Sequence, residues 1–112
     1  MPGVVARPGR VRIDLPDTAD NGNSVPCTLS VDSPMTAEDH VRELNVWAAR
    51  NPRPWVASVQ FGPANPRARL ETRLRLGESQ RVFAIASMSD GTHWSGWADV
   101  VVLVSACQDG SG

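Results

Sequence analysis

Apolar and polar side chains alternate at every second position over much of the chain. From Val25 to Val31, Val, Cys, Leu and Val occupy the odd positions, with Pro, Thr and Ser between them. From Arg67 to Leu76, arginine or glutamate alternates with alanine, leucine or threonine. A period of two places one set of side chains on a buried sheet face and the other set in water. The pattern therefore predicts β-strands that each contribute one face to a core.

About seven strands are predicted, separated by segments rich in the turn-forming residues Gly, Pro, Asn and Asp. Pro16 to Ser24 is such a segment, and Ser89-Asp90-Gly91-Thr92 is typical of a hairpin turn. Residues 37–50 are compatible with a helix as well as with the strand that we favour. No helix is expected after each strand, so the fold class predicted is an all-β antiparallel sandwich, not a parallel α/β sheet. The strands are expected near residues 11–15, 25–31, 41–49, 55–61, 68–76, 81–88 and 93–104.

The composition changes after Val104. Residues 105–112 are small or polar and include two glycines, so they lack the apolar surface that would order them. The length of 112 residues fits one domain. We therefore predict a β-sandwich domain of residues 1–104 and a flexible C-terminal arm of residues 105–112.

Charge and motifs exclude several classes of function. The formal net charge is −1, with eleven arginines and no lysine, so no positive field recruits nucleic acid or an anionic membrane. No apolar run approaches the ~20 residues that span a bilayer, and residues 1–10 lack the hydrophobic segment of a secretory signal. Gly-x-Ser-x-Gly, His-Glu-x-x-His and phosphate-loop motifs are missing. His40 and His93 have no spacing to the cysteines that indicates a metal site. We expect a protein that is not an enzyme and holds no metal.

Cys107 is the leading candidate functional residue. It follows the last predicted strand and stands among small side chains near the end of the chain, so its thiol should be sterically open. An unperturbed thiol has a pKa near ~8.5, and the neighbouring Asp109 would raise it, so other proteins would have to activate Cys107. The alternatives are an incidental tail cysteine and a thiol that joins two copies of the chain in a homodimer.

The second cysteine, Cys27, shares the apolar face of its strand and is expected to pack in the core. A disulfide between Cys27 and Cys107 is not supported, because the paired cysteines of immunoglobulin domains lie on facing strands within the core. Four arginines form a basic sheet face that we expect to be solvated, with an anion site as the alternative. They are Arg67, Arg69, Arg73 and Arg75.

The four tryptophans are candidates for the core or for an interface. Trp94 and Trp97 are three residues apart in a strand, so they should point to opposite faces, one buried and one exposed. An exposed tryptophan would be a plausible interface anchor. Trp47 and Trp55 are equally compatible with the core.

Several motifs resemble those of a known family. The segment Val31-Asp32-Ser33-Pro34-Met35-Thr36 and the segment Met88-Ser89-Asp90-Gly91 are fairly specific in combination. From about Ile13 to Cys107 the sequence resembles SoxY, the sulfur-carrier subunit of the bacterial thiosulfate-oxidising Sox system. Further matching features are Val25-Pro26, Asn51-Pro52, Phe61-x-Pro63, Arg69, Arg73-Leu74-Arg75-Leu76 and Trp94.

The resemblance implies an immunoglobulin-like β-sandwich that forms a heterodimer with a SoxZ-like sandwich subunit in the periplasm. It implies that Cys107 lies on a swinging arm and carries thiosulfonate and sulfane sulfur covalently, with no other cofactor. The implied transient partners are a Sox-type cytochrome that loads thiosulfate, a hydrolase that releases sulfate, and proteins that oxidise the sulfane sulfur. The carrier itself would catalyse nothing.

The arm departs from the family pattern, which is Gly-Gly-Cys-Gly-Gly. This chain has Ser105-Ala106-Cys107-Gln108-Asp109, which restricts the backbone, adds bulk beside the sulfur and places a carboxylate near an anionic cargo. The sequence therefore supports two hypotheses, a divergent sulfur carrier and an immunoglobulin-like interaction module that has lost the sulfur chemistry. A thiol oxidoreductase or a metal protein is disfavoured, because the chain lacks Cys-x-x-Cys and a ligand set.

Overall fold

The computed structural model describes residues 5–104, and β-strands form the regular structure of this range, which contains no helix. The predicted all-β class is confirmed, and the segment that was also compatible with a helix is a strand. The strands are β1 (Arg7–Pro8), β2 (Val11–Asp14), β3 (Thr18–Asn21), β4 (Val25–Val31), β5 (Val41–Ala48), β6 (Trp55–Gln60), β7 (Ala68–Leu74), β8 (Gln80–Met88) and β9 (His93–Val104).

The strands form two sheets that enclose one core. The larger sheet has the order β1-β9-β8-β5-β6, with β3 also paired to β9, and the smaller sheet has the order β2-β4-β7. The pairs β8–β9, β5–β8, β5–β6, β2–β4 and β4–β7 are antiparallel, as expected. Two corrections apply: the described residues form nine strands instead of about seven, and the two extra strands, β1 and β3, run parallel to β9.

The strand β3 lies within the segment Pro16 to Ser24, which its composition predicts to be a turn. Its residues are Thr-Ala-Asp-Asn, and Ala19 is the one buried side chain of the four. Because β3 is held by backbone pairing to β9 and not by an alternating apolar face, its side chains carry no strand pattern.

The core lies between the inward faces of the two sheets. Alternate residues of β4, β5 and β8 point into it, as the period of two predicts. Removing each Val or Leu side chain from water contributes about 1.5–3 kcal/mol to folding. The largest fully buried side chains are Leu29, Leu44, Leu76, Met88, Val25, Val41, Val46, Val82 and Cys27.

The two most specific motifs of the family resemblance lie close together at one end of the sandwich, since the Val41 amide donates to Met35 Sδ at 3.4 Å and Val41 is paired with Met88. The Ser89 amide donates to the His40 carbonyl at 2.8 Å, and the His40 amide donates to the Ser89 hydroxyl at 3.0 Å. Met35 is buried and adopts a φ of 55°, and the adjacent hairpin turns through Gly91 at a φ of 86°.

The strand β9 starts at this end and runs through twelve residues, about 36 Å. Its last residue, Val104, therefore lies at the opposite end of the strand.

Within residues 5–104, no helix is long and apolar enough to cross a membrane.

Candidate functional site

The end of β9 is the point from which the predicted arm departs, and it is tied firmly to the sandwich. The last pair between β8 and β9 is Gln80 with Val100, and beyond it β3 pairs with Val101, Val102 and Val104. The Val104 carbonyl accepts a hydrogen bond from Gly22 at 2.7 Å, and the Gly22 carbonyl accepts one from the fully buried Leu76 at 2.8 Å. Two hydrogen bonds thus connect the end of β9 to the core.

Cys107 comes three residues after Val104 and lies outside the described residues, as does the whole predicted arm, 105–112. Its role as the site of sulfur attachment therefore stays a prediction, and so does the division of the chain at residue 104. The last residues of β9, which precede the arm in sequence, expose apolar side chains. Val101, Leu103 and Val104 are 50%, 64% and 58% exposed.

Cys27 packs in the core, as predicted. It lies between Val25 and Leu29 on the inward face of β4 and is 2% exposed. Burial, with a smaller contribution from the carboxylate of Asp14, raises the pKa of the Cys27 thiol to about 11. Because the thiolate is the nucleophilic form, Cys27 is inert at neutral pH.

We expect the raised pKa of Cys27 to weaken the protein in alkali. Unfolded, the thiol ionises near its ordinary pKa of 9.0, so between pH 9 and pH 11 the unfolded chain loses a proton that the folded protein keeps. The stability contributed by the protonated thiol is complete below pH 9 and falls with rising pH, by about 2 kcal/mol at pH 11. Urea unfolding at several pH values measures this loss.

The composition makes this test unusually direct. The chain has no lysine and no tyrosine, so Cys107 is the other side chain that titrates in this window. Cys27→Ala should flatten the alkaline decline, and Cys107→Ser should leave it in place. A decline of equal size in Cys27→Ala would show that another group causes it.

The arginine face is exposed to solvent, as predicted. Arg69 donates to Glu71 at 2.6 Å, and Arg73 donates to the Ser24 hydroxyl at 3.3 Å. Exposed pairs of this kind contribute about 0–1 kcal/mol. The face is therefore a solvated surface with mixed charge.

The histidines take part in local hydrogen bonds. His40 Nδ1 lies 2.9 Å from the Thr36 carbonyl, and His93 Nδ1 lies 3.0 Å from the Ser87 hydroxyl. Over residues 5–104, the structure brings together no group of three or more His, Cys, Asp or Glu side chains that could hold a metal ion.

Trp94 and Trp97 point to opposite faces, as expected: Trp94 packs against the core, whereas Trp97 is 59% exposed. Trp55 is 60% exposed, and Trp47 stacks on Phe83 outside the core cluster. Alternation within β5 directs Trp47 outward, since Val46 and Ala48 are core residues. The face of Trp55 depends on the irregular register between β5 and β6, which local sequence does not reveal. Strand alternation alone could have placed Phe83 outward, since its neighbours in β8 are core residues.

Several solved structures share this fold. The sulfur carrier protein SoxY from Chlorobium limicola f thiosulfatophilum is 20% identical, with a TM-score of 0.74 over 89% of this chain and 86% of that one. A superoxide reductase (neelaredoxin) from Ignicoccus hospitalis is 18% identical, with a TM-score of 0.73 over 84% and 80% of the two chains. The superoxide reductase from Nanoarchaeum equitans is 11% identical, with a TM-score of 0.70 over 85% and 99%. At these identities the likeness concerns the fold, and it confirms the immunoglobulin-like sandwich.

Comparison with curated protein sequences gives no match. The sequence model of the family described as "Sulfur oxidation protein SoxY", by contrast, matches residues 3–107, nearly the whole chain and as far as Cys107. A match of this extent shows that the chain belongs to the SoxY family of sulfur oxidation proteins.

Proposed function

We propose that this protein is a covalent carrier of thiosulfate-derived sulfur in a Sox system and that Cys107 is the attachment site. The observation that carries the proposal is the family match, which spans both sheets and ends on Cys107. The buried Cys27 supports it, because a thiol with a pKa of about 11 inside the core leaves Cys107 as the thiol for a covalent load.

Loading forms one S–S bond and removes two electrons. The Cys107 thiolate and the terminal sulfur of thiosulfate join as Cys–S–S–SO3⁻, and a c-type cytochrome partner accepts both electrons. Water then attacks the sulfonate sulfur in a hydrolase partner, which releases sulfate and two protons and leaves Cys–S–S⁻. Further partners oxidise that sulfane sulfur, so the carrier supplies the handle and its partners supply the catalysis.

The hydrogen bonding at the end of β9 supports a carrier whose partners supply the catalysis. Val104 is hydrogen-bonded to Gly22, so the sandwich offers a fixed point from which the arm extends. Three residues of chain span at most about 11 Å, which gives Cys107 a limited reach around that point. We place the protein in the periplasm as a heterodimer with a SoxZ-like sandwich subunit, in keeping with the family.

The arm sequence supports a second candidate, an interaction module without sulfur chemistry. Ser105, Ala106, Gln108 and Asp109 stand where the family pattern has glycine. A side chain at each of these positions restricts the backbone, and the carboxylate of Asp109 repels an anionic cargo. The module would keep its partner surface and bear no sulfur adduct.

Intact-mass spectrometry separates the two candidates. The purified protein is incubated with thiosulfate and a c-type cytochrome loading enzyme, and a Gly-Gly-Cys-Gly-Gly carrier is treated in parallel to show that the enzyme is active. We expect one thiosulfonate adduct, located on Cys107 by peptide mapping and removed by reductant. If the parallel carrier is loaded and this protein is not, the proposal is wrong and the interaction module takes its place.

A further inference from the structure

The last residue of β3, Asn21, is followed by Gly22, and the dipeptide Asn-Gly occurs once in the chain. An asparagine side chain closes on the backbone most readily when glycine follows, because glycine has no Cβ to hinder the approach. The Asn21 residue is exposed, whereas Gly22 is buried. The reactivity of this pair therefore depends on how the fold holds the Gly22 amide.

The side chain of Asn21 is folded over the turn that follows it. Its Oδ1 atom accepts a hydrogen bond from the Asn23 amide at 2.9 Å, in the arrangement of an Asx turn. This bond directs the side-chain carbonyl toward the backbone of the next residues. It also draws electron density to Oδ1, which makes the Cγ atom of Asn21 a better electrophile.

One hydrogen bond restrains the nitrogen that could attack this carbon. The Gly22 amide donates to the Val104 carbonyl at 2.7 Å, and Asn21 is paired with Val104. An amide nitrogen attacks a carbonyl after it has lost its proton, and a proton held in a backbone hydrogen bond is protected from hydroxide. The Leu76 amide holds the Gly22 carbonyl at 2.8 Å, so the turn keeps its place when the bond to Val104 opens.

The end of β9 can open without the rest of the sandwich. Its pairing with β8 ends at Val100, and the pair of Asn21 with Val104 is the last one between β3 and β9. Beyond Val100 the Ser79 hydroxyl restrains the strand by accepting a hydrogen bond from the Val102 amide at 2.8 Å. Val104 is 58% exposed. Strand ends with few buried contacts open at a lower free energy than the core does.

We propose that Asn21 is a site of spontaneous deamidation and that the hydrogen bond from Gly22 to Val104 controls its rate. When this bond opens, the Gly22 nitrogen attacks Asn21 Cγ and forms a C–N bond. The bond from Cγ to the side-chain nitrogen breaks, and the amide proton leaves with that nitrogen as ammonia. One water then opens the succinimide ring at either carbonyl and yields aspartate or isoaspartate. No electrons are exchanged and no partner takes part, so the inference goes beyond sulfur carriage.

Deamidation would alter the same strand end that controls it. Isoaspartate adds one methylene to the backbone at position 21, so the Gly22 amide no longer stands in register with the Val104 carbonyl. Either product places a carboxylate opposite Val104 and adds one negative charge to a formal net charge of −1. The isoaspartate form should therefore lose the connection from the end of β9 to Leu76 and loosen the strand from which the arm extends.

The test incubates the full-length protein at mildly alkaline pH and measures aspartate and isoaspartate at position 21 by peptide mapping. We expect conversion at Asn21 and none at Asn23, because Ser24 carries a Cβ where Gly22 has none. The rate should rise in proportion to the hydroxide concentration. In urea, where the bond to Val104 is lost, conversion should be about tenfold faster or more.

Three variants locate the controlling hydrogen bond. Ser79→Ala removes the restraint on Val102 and should speed conversion about two- to tenfold, the factor that corresponds to one hydrogen bond. Ser58→Ala is the matched control, an exposed serine on β6 at the far edge of the larger sheet, and should leave the rate unchanged. Val46→Ala lowers the stability of the whole core and should also leave the rate unchanged, because the end of β9 opens locally.

Hydrogen exchange at the Gly22 amide provides a second readout of the same opening. Ser79→Ala should speed this exchange by the same factor as the conversion of Asn21. An Asn21 that stays intact in the folded protein while it converts in urea would overturn the proposal. Equal conversion rates in Ser79→Ala and the unaltered protein, or equal acceleration by Ser79→Ala and Val46→Ala, would show that the bond to Val104 is not the control.

Discussion

Replacing Cys107 with serine should abolish sulfur loading, whereas Cys27→Ala should leave it unchanged. A serine hydroxyl ionises at far higher pH than a thiol and forms no stable bond to a sulfane sulfur, so Cys107→Ser removes the attachment site itself. Cys27 is enclosed among Val25, Leu29 and the rest of the core, and its thiol stays protonated at neutral pH. The expected result is therefore complete loss in one variant and full loading in the other.

The measurement is thiosulfate-dependent reduction of the cytochrome in a system rebuilt from purified partners, together with the intact mass of the carrier. Both variants must show the same partner affinity as the unaltered protein, which separates loss of the attachment site from loss of docking. Undiminished thiosulfate oxidation with Cys107→Ser would contradict the carrier role. Loading of Cys27 in that variant would contradict the assignment of Cys27 to an inert core position.

Much of the sandwich is predictable because its strands bury one face each. In β4, β7 and β8 the alternation of apolar and polar residues identifies both the strand and its inward side, and it places Cys27 in the core. The side chains of β3 show no such alternation. This strand is held by backbone pairing to the end of β9, which is distant in sequence. Local pattern contains no information about that pairing.

The aromatic side chains on the outer face of the larger sheet also depend on both local and non-local information. Alternation in β8 directs Phe83 outward, and alternation in β9 separates Trp97 from Trp94. Only the register of four strands reveals that Trp97, Phe83, Trp47 and Trp55 lie side by side. A sequence shows four scattered aromatic residues where the fold makes one surface.

The two most specific motifs of the family resemblance lie at the start of β9, and the residues of the proposed arm follow the end of this strand in sequence. Ser89, His40 and Met35 shape the loops at its start, whereas the arm follows Val104 at its end. Leu76, another residue of the resemblance, donates to the Gly22 carbonyl at 2.8 Å and so supports the end of β9. These residues account for the fold and its loops and not for sulfur attachment, so the loading experiment decides the function.

The strand that leads to the arm also depends on one glycine, and Gly96→Ala should destabilise the protein by about 3 kcal/mol. Gly96 lies on the inward side of β9, where β2 of the facing sheet crosses it. A Cβ at this position would overlap the carbonyl oxygen of Val11 and lie 3.0 Å from its carbonyl carbon. The obstacle is backbone held in the β2–β4 pair, so it cannot turn aside as a flexible side chain would.

Gly62→Ala is the matched control, because a Cβ there meets nothing within 4 Å. Both substitutions restrict the unfolded chain equally, so their difference isolates the clash at Val11. Urea unfolding followed by tryptophan fluorescence should show a large drop in the midpoint for Gly96→Ala and little change for Gly62→Ala. Equal stability of the two variants would mean that β2 and β9 can separate at low cost. The close crossing at Gly96 would then not fix the strand from which the arm extends.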